Sequence, residues 1–279
     1  MQITIYTATG CTRCKIVKRF MEERDITYVE KDMKAEGKEE FQSFYKANRS
    51  AIFRGSDGIE FPIITDGENI CQGIGASIAY LHSGNKLDGF FTVGILHKEW
   101  VDGIHVSGGN PENVEEFLAV LRYLKGNNMK LQLDTNGGNS LILRQVLKEN
   151  LADMFIMNIL GPKQLYCQLA GGDVDIDDIK ASLAIVSNFP KFKIETVIAP
   201  VTREDGTISY LTPEEIGETA RLIEEGTGTK KNPYLLKLFN PKAAEEPKFR
   251  SLDPLPNKLI FTYRTKARSY QVFTEIDNI

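Results

Sequence analysis

Polar and apolar residues alternate over residues 2–6, the period-two pattern of a strand. A tight turn is expected at 7–10, and from 12 to 24 the apolar residues Ile16, Val17 and Phe20 recur at helical spacing. A second strand is expected at 26–30, then a charged helix at about 36–46 with Phe41, Phe44 and Tyr45 on its apolar side. Asp66-Gly67 lies between two short apolar runs at 63–65 and 69–71, a strong hairpin signal. A helix at about 75–82 completes the order β-α-β-α-β-β-α. Residues 83–89, Ser-Gly-Asn-Lys-Leu-Asp-Gly, break the pattern on both sides and read as a linker.

Beyond the linker the pattern changes. Strand-like runs at 91–96, 103–106, 129–133, 154–159, 193–199 and 234–239 are separated by helical patterns at 112–125, 140–150, 176–187 and 213–225. Such alternation implies a parallel sheet, open or partly closed. Thr212-Pro213-Glu214-Glu215 reads as a helix start, with a capping residue, a first-turn proline and acids near the positive end of the dipole. From about 240 the chain is rich in proline and charge, and it ends in a strand-like run at 259–272. The organisation expected is one domain over residues 1–84 and a second over 90–279 with a C-terminal extension.

Composition narrows the classes. Hydrophobic residues make up 42% and charged residues 26%, with a formal net charge of −4, so a globular α/β protein is expected with neither a nucleic-acid nor a membrane partner. The N-terminal residues lack a basic region followed by a long apolar run, so no signal peptide is read. The four cysteines, Cys11, Cys14, Cys71 and Cys167, are too few and too irregular for a secreted disulfide framework. A cytoplasmic location is expected.

Cys11 and Cys14 sit where the first strand hands over to the first helix. Unpaired N–H groups and the helix dipole at such an N-terminus favour a thiolate, which makes Cys11 the candidate nucleophile and Cys14 the resolving thiol. Arg13 and Lys15 add positive charge, and Phe61-Pro62 precedes the hairpin as candidate support for the dithiol. The alternatives are a metal site or two buried thiols, but the remaining cysteines and three histidines offer no second ligand pair. Cys71 and Cys167 are expected to be small core residues.

Residues 1–82 resemble a glutaredoxin-like redoxin through Gly10-Cys11-Thr12-Arg13-Cys14, Phe61-Pro62 and Cys71-Gln72-Gly73-Ile74-Gly75. The resemblance implies a thioredoxin fold, a cis-proline at Pro62 and thiol–disulfide exchange through Cys11 and Cys14. The family's paired glycines are split as Gly73 and Gly75. Its acid for the glutathione amino group is not evident either, with Ser77 the nearest polar residue, so glutathione binding is not carried over. An upstream reductase or thiol donor is the implied electron source.

In the second half, Ser107-Gly108-Gly109-Asn110-Pro111 and Asp134-Thr135-Asn136-Gly137-Gly138 follow strands, where glycine lets backbone amides approach a ligand. The plainer reading is short strand–helix connections. From about 91 to 240 the chain resembles the partial (β/α)6 barrel of radical S-adenosylmethionine activases, through those two loops and Val197-Ile198-Ala199-Pro200. Those enzymes hold an iron–sulfur cluster on C-x3-C-x2-C, whereas here residues 94–103 contain no cysteine. Asn110 replaces the loop glutamate, and Asn158-Ile159-Leu160 replaces an Asp-x-Lys motif.

The resemblance with these departures implies a degenerate, pseudoenzyme-like barrel. Neither an iron–sulfur cluster nor S-adenosylmethionine cleavage is expected, and no cofactor is required. Ser107, Gly108, Gly109, Asn110, Asp134, Thr135 and Asn136 are candidates for a remnant ligand pocket. His97 and Trp100 are read as filling the shortened stretch, with a pocket or partner surface as the functional alternative. Asp173, Asp175, Asp177 and Asp178 read as a helix start rather than a calcium loop.

The expectation is therefore a dithiol oxidoreductase reducing a protein disulfide, with the barrel as docking module and anaerobic ribonucleotide reductase or a glycyl-radical enzyme as suggested client. The rival is a non-catalytic ligand-binding or scaffold protein with a redox-sensing dithiol.

Overall fold

The computed structural model describes residues 2–56 and 58–277. By internal packing the chain divides into two compact units, Met1–Leu133 with Asn150–Asp153, and Asp134–Glu149 with Met154–Ile279.

The first unit opens with β1 (Ile3–Thr7), α1 (Thr12–Glu22), β2 (Tyr28–Asp32), α2 (Lys38–Ala47), β3 (Ile63–Thr65), β4 (Ile70–Gln72) and α3 (Ile74–Ser83). Strand order is β2-β1-β3-β4. β1 is parallel to β2 and antiparallel to β3, and β3 is antiparallel to β4. As a central strand, β1 buries Ile3, Ile5 and Tyr6. On α1 the buried residues Cys14, Val17, Phe20 and Met21 follow an i, i+3, i+6, i+7 spacing that makes one helix face apolar.

Two expectations for this unit are corrected. Residues 83–89 form no open linker: Gly84–Leu87 is a 3-10 turn that buries Leu87. Phe90 beyond it is fully buried, its ring stacked 4.5 Å from that of Phe117. Nor do residues 91–96 form a strand, since they contribute only an isolated antiparallel bridge, Phe91 to Ile104. The reason lies in the backbone partners. Asp102 Oδ1 accepts from the N–H groups of both Ile95 and Leu96 at 3.0 Å, so a side chain satisfies donors that a neighbouring strand would otherwise take. The unit continues with β5 (Trp100–His105), α4 (Val114–Gly126) and β6 (Lys130–Thr135), which runs on into the second unit.

In the second unit lie α5 (Ser140–Lys148), β7 (Met154–Asn158), α6 (Ile176–Val186), β8 (Phe192–Ile198), α7 (Pro213–Thr227), β9 (Tyr234–Leu238), α8 (Asn257–Arg268) and β10 (Thr274–Asp277). The larger sheet has six strands in the order β10-β9-β8-β7-β6-β5, and β7 to β10 run parallel.

Asp175 caps α6 by accepting from the Asp177 N–H. Thr212 and Glu215 form a reciprocal capping box at α7, and Arg203 pairs with Glu215. Both helix starts agree with the sequence reading. The C-terminal run does not: residues 259–272 were expected as a strand but lie mostly in α8. Its buried residues Ile260, Tyr263 and Ala267 are three and four apart, the spacing of a helix face, and the sixth strand comes later, at β10. Among the described residues no helix is long and apolar enough to cross a membrane.

Candidate functional site

The turn between β1 and α1 is shaped by Gly10, at φ +79°, and by a hydrogen bond from the Cys11 N–H to the Ala8 carbonyl. Cys11 is the N-cap of α1, and its Sγ accepts from the Cys14 N–H at 3.1 Å. The two cysteines are joined as a disulfide, with Cα atoms 5.3 Å apart. Exposure separates them: Cys11 is half-buried, whereas Cys14 is 2% exposed. A thiol or disulfide approaching from solvent therefore meets Cys11 first.

Phe61-Pro62 is a cis peptide, as the sequence implied. Phe61 is half-buried against Phe41, ring centroids 5.3 Å apart, and the Pro62 carbonyl accepts from the Gly73 N–H. Lys15 is exposed on α1. Arg13, expected only to add positive charge near the dithiol, is buried and paired. It is 8% exposed, forms an ion pair with Glu60, and donates to the carbonyls of Leu96 and Trp100. Its planar, five-donor head suits this task of joining a carboxylate to two carbonyls. Arg13 thus anchors the dithiol turn to the 96–100 segment.

Beside Cys11 lies an open cleft of about 720 Å³. Thr12, Ile59, Phe61, His97, Glu99 and Asn128 are among its lining residues. His97, read from sequence as a gap-filler, faces this cleft. The sequence reading missed the roles of Glu60 and Asp102; the available signal was an acid directly before Phe61-Pro62 and an arginine inside the Cys-x-x-Cys.

Cys71 is half-buried and lines a separate cavity of about 370 Å³. Burial pushes its thiol up to about 12, with the charges of Asp88 and Asp66 adding to the rise. Cys167 is exposed, contrary to the expected core position: it lies on a single short helical turn, Tyr166–Ala170, whose inward side chain is Tyr166.

The glycine loops are used for packing. A Cβ on Gly109 would overlap the Phe90 ring, and one on Gly108 would overlap the Gly89 carbonyl, so the space beside this loop is filled by the chain itself. Ser107 is half-buried. Asn110 Oδ1 accepts from the Glu112 N–H. In the second unit, Thr135 Oγ1 accepts from the Gly137 N–H, and the Asn136 carbonyl accepts from the Tyr166 hydroxyl. Gly137 gives close approach to Ile179, while Asp134 is half-buried.

No family model matches the chain. Among curated proteins it is similar to one in Methanocaldococcus jannaschii provisionally named a glycyl-radical enzyme activating enzyme, 21% identical over 165 residues. The match takes in 57% of this chain, which spans 63% of that protein's length. Among solved structures, a domain of pyruvate-formate lyase-activating enzyme from Bacteroides vulgatus aligns over 64% of this chain and all of its own, with a TM-score of 0.45 and 11% identity. Coproporphyrinogen III oxidase from Escherichia coli, a radical SAM enzyme, aligns over 60% of this chain and 40% of its own, at a TM-score of 0.40 and 16% identity.

Residues 94–103 hold no cysteine, and among the described residues no group of three histidine, cysteine or carboxylate side chains is placed to hold a metal ion. The chain is accordingly described by its likeness to an activating enzyme and by a dithiol that the likeness does not explain.

Proposed function

We propose that this protein is a thiol–disulfide oxidoreductase of thioredoxin fold, with Cys11 as nucleophile and Cys14 as resolving thiol. The observation that carries the reading is the exposure difference within a helix-capping Cys-x-x-Cys at the edge of an open cleft. In the reduced protein the Cys11 thiolate attacks a substrate disulfide, forming a mixed disulfide and releasing one substrate thiolate. Cys14 then attacks Cys11 Sγ, its proton passes to the second leaving sulfur, and the protein dithiol has given two electrons to the substrate. A thiol or protein dithiol restores the starting state. The client is a disulfide-bearing protein, and residues 90–279 act as its docking module.

The test is single-turnover reduction of 5,5′-dithiobis(2-nitrobenzoate) by pre-reduced protein carrying Cys167→Ser, which removes the exposed thiol outside the dithiol. Cys11→Ser is expected to lower the rate at least about 100-fold, as expected when the exposed nucleophile is removed. An unchanged rate rejects the proposal.

A second reading, an activating enzyme using a cluster held by an unfamiliar donor set, is favoured by the similarity to the Methanocaldococcus jannaschii protein. Anaerobic reconstitution with iron and sulfide separates the two readings. A cluster retained after desalting supports the second, and its loss during desalting counts against it.

A further inference from the structure

The two flanks of Cys11 and Arg13 differ. On the side of Gly73 and Gly75 the chain seals itself: Gly75 lies against Phe91 and Val101, and the space left among Arg13, Glu60, Gly94 and Asp102 is about 10 Å³, room for no more than a water. On the other side the 720 Å³ cleft is neighboured by a pocket of about 300 Å³, the two sharing the lining residues Ile59, Glu60 and His97. Phe53 and Ile95 line this second pocket, and they remain 47% and 64% exposed.

Single exposed apolar residues are ordinary, but here both sit on backbone that is pinned. The buried amide of Gln72 accepts from the Phe53 N–H and donates to the carbonyls of Phe53 and Glu60. Asp102 takes the N–H of Ile95. Two apolar side chains are thus held open to solvent on pinned backbone, in a pocket that shares Ile59, Glu60 and His97 with the cleft at Cys11. Preorganisation of this kind lowers the entropic cost of binding.

Resting on the dithiol reading, we infer that Phe53 and Ile95 form an apolar subsite that selects polypeptide disulfides with a large aliphatic residue next to the cysteine. The sealed flank leaves the cleft as the approach to Cys11 Sγ, so an extended chain crossing the cleft places a neighbouring side chain in the second pocket. Charged and amide groups at Glu99 and Asn128 face the remainder of that chain, where its backbone runs.

The experiment uses two synthetic peptides, each closed by a disulfide and differing only in leucine or serine beside one cysteine, reduced by the pre-reduced full chain under single-turnover conditions. The change in fluorescence of Trp100, the sole tryptophan, follows oxidation of the dithiol. The leucine peptide is expected to react about 10-fold faster, the ratio that about 1.4 kcal/mol of differential binding gives. Phe53→Ser and Ile95→Ser should each bring the ratio close to one, while Leu141→Ser, an exposed apolar position in the other unit, should leave it unchanged. A wild-type ratio near one, a ratio retained in both subsite variants, or one lost equally in Leu141→Ser overturns the inference. If the wild type reduces neither the peptides nor the nitrobenzoate disulfide faster than Cys11→Ser does, the dithiol reading itself fails and takes the subsite with it.

Discussion

The turn at 8–11 and the turn at 107–110 both lead from a strand toward a helix, and both contain glycine. At Gly10 a Cβ would meet nothing within 4 Å, so the residue is there for its φ of +79°. At Gly109 a Cβ would overlap the Phe90 ring, and at Gly108 it would overlap the Gly89 carbonyl. The first turn leaves a sulfur at the mouth of a cleft. The second is packed shut by the chain that precedes it. Two loops that read alike in sequence therefore differ in what fills the space beside them, and that filling decides whether a loop can meet a ligand.

The strongest way to break this comparison is at Phe90. Phe90→Ala is expected to destabilise the protein by about 4 kcal/mol, the cost of an aromatic cavity in a packed core. Gly109→Ala alone is expected to cost about 2 kcal/mol through overpacking and to become nearly neutral in the Phe90→Ala background. Denaturant unfolding of the single and double variants measures this coupling. Additive costs would mean that Gly109 serves something other than Phe90. Gly10→Ala should cost only about 1 kcal/mol, from the left-handed backbone alone, with no coupling to any neighbour.

A finer test compares thiols. In the folded protein Cys71 has its acidity suppressed, its thiol lying at about 12 because of burial and then the nearby Asp88 and Asp66. Its raised value makes a stabilising contribution that is complete below the unfolded thiol range near about 8.5 and is lost as pH rises toward 12. At pH 8 iodoacetamide should therefore modify the exposed Cys167, and Cys11 in reduced protein, while sparing Cys71. Mass spectrometry of labelled peptides checks this, and rapid labelling of Cys71 would contradict it.

Much of the local architecture was legible. Alternation at 2–6, the Asp66-Gly67 turn and the Thr212–Glu215 start each rest on interactions within a few residues, and each is present in the structure. The strand expected at 91–96 failed because Asp102, several residues away, captures the Ile95 and Leu96 donors. The terminal strand expected at 259–272 failed because apolar residues in a short run fit either period, and packing selected the face of Ile260, Tyr263 and Ala267. Arg13 was visible as a charge, but its engagement by Glu60, Leu96 and Trp100 joins positions up to 87 residues apart.

The sequence by itself determined the Cys-x-x-Cys at a helix start, the proline before the hairpin, and a glycine-bearing half lacking the cysteines of the activases it resembles. These follow from spacing and side-chain chemistry. Only the tertiary structure decided that Cys14 is hidden and Cys11 reachable, that Arg13 is a strut, that Phe90 closes the glycine loop, and that Phe53 and Ile95 stand open to solvent. Burial and ion pairing depend on which distant segments meet, and no local pattern of residues records that.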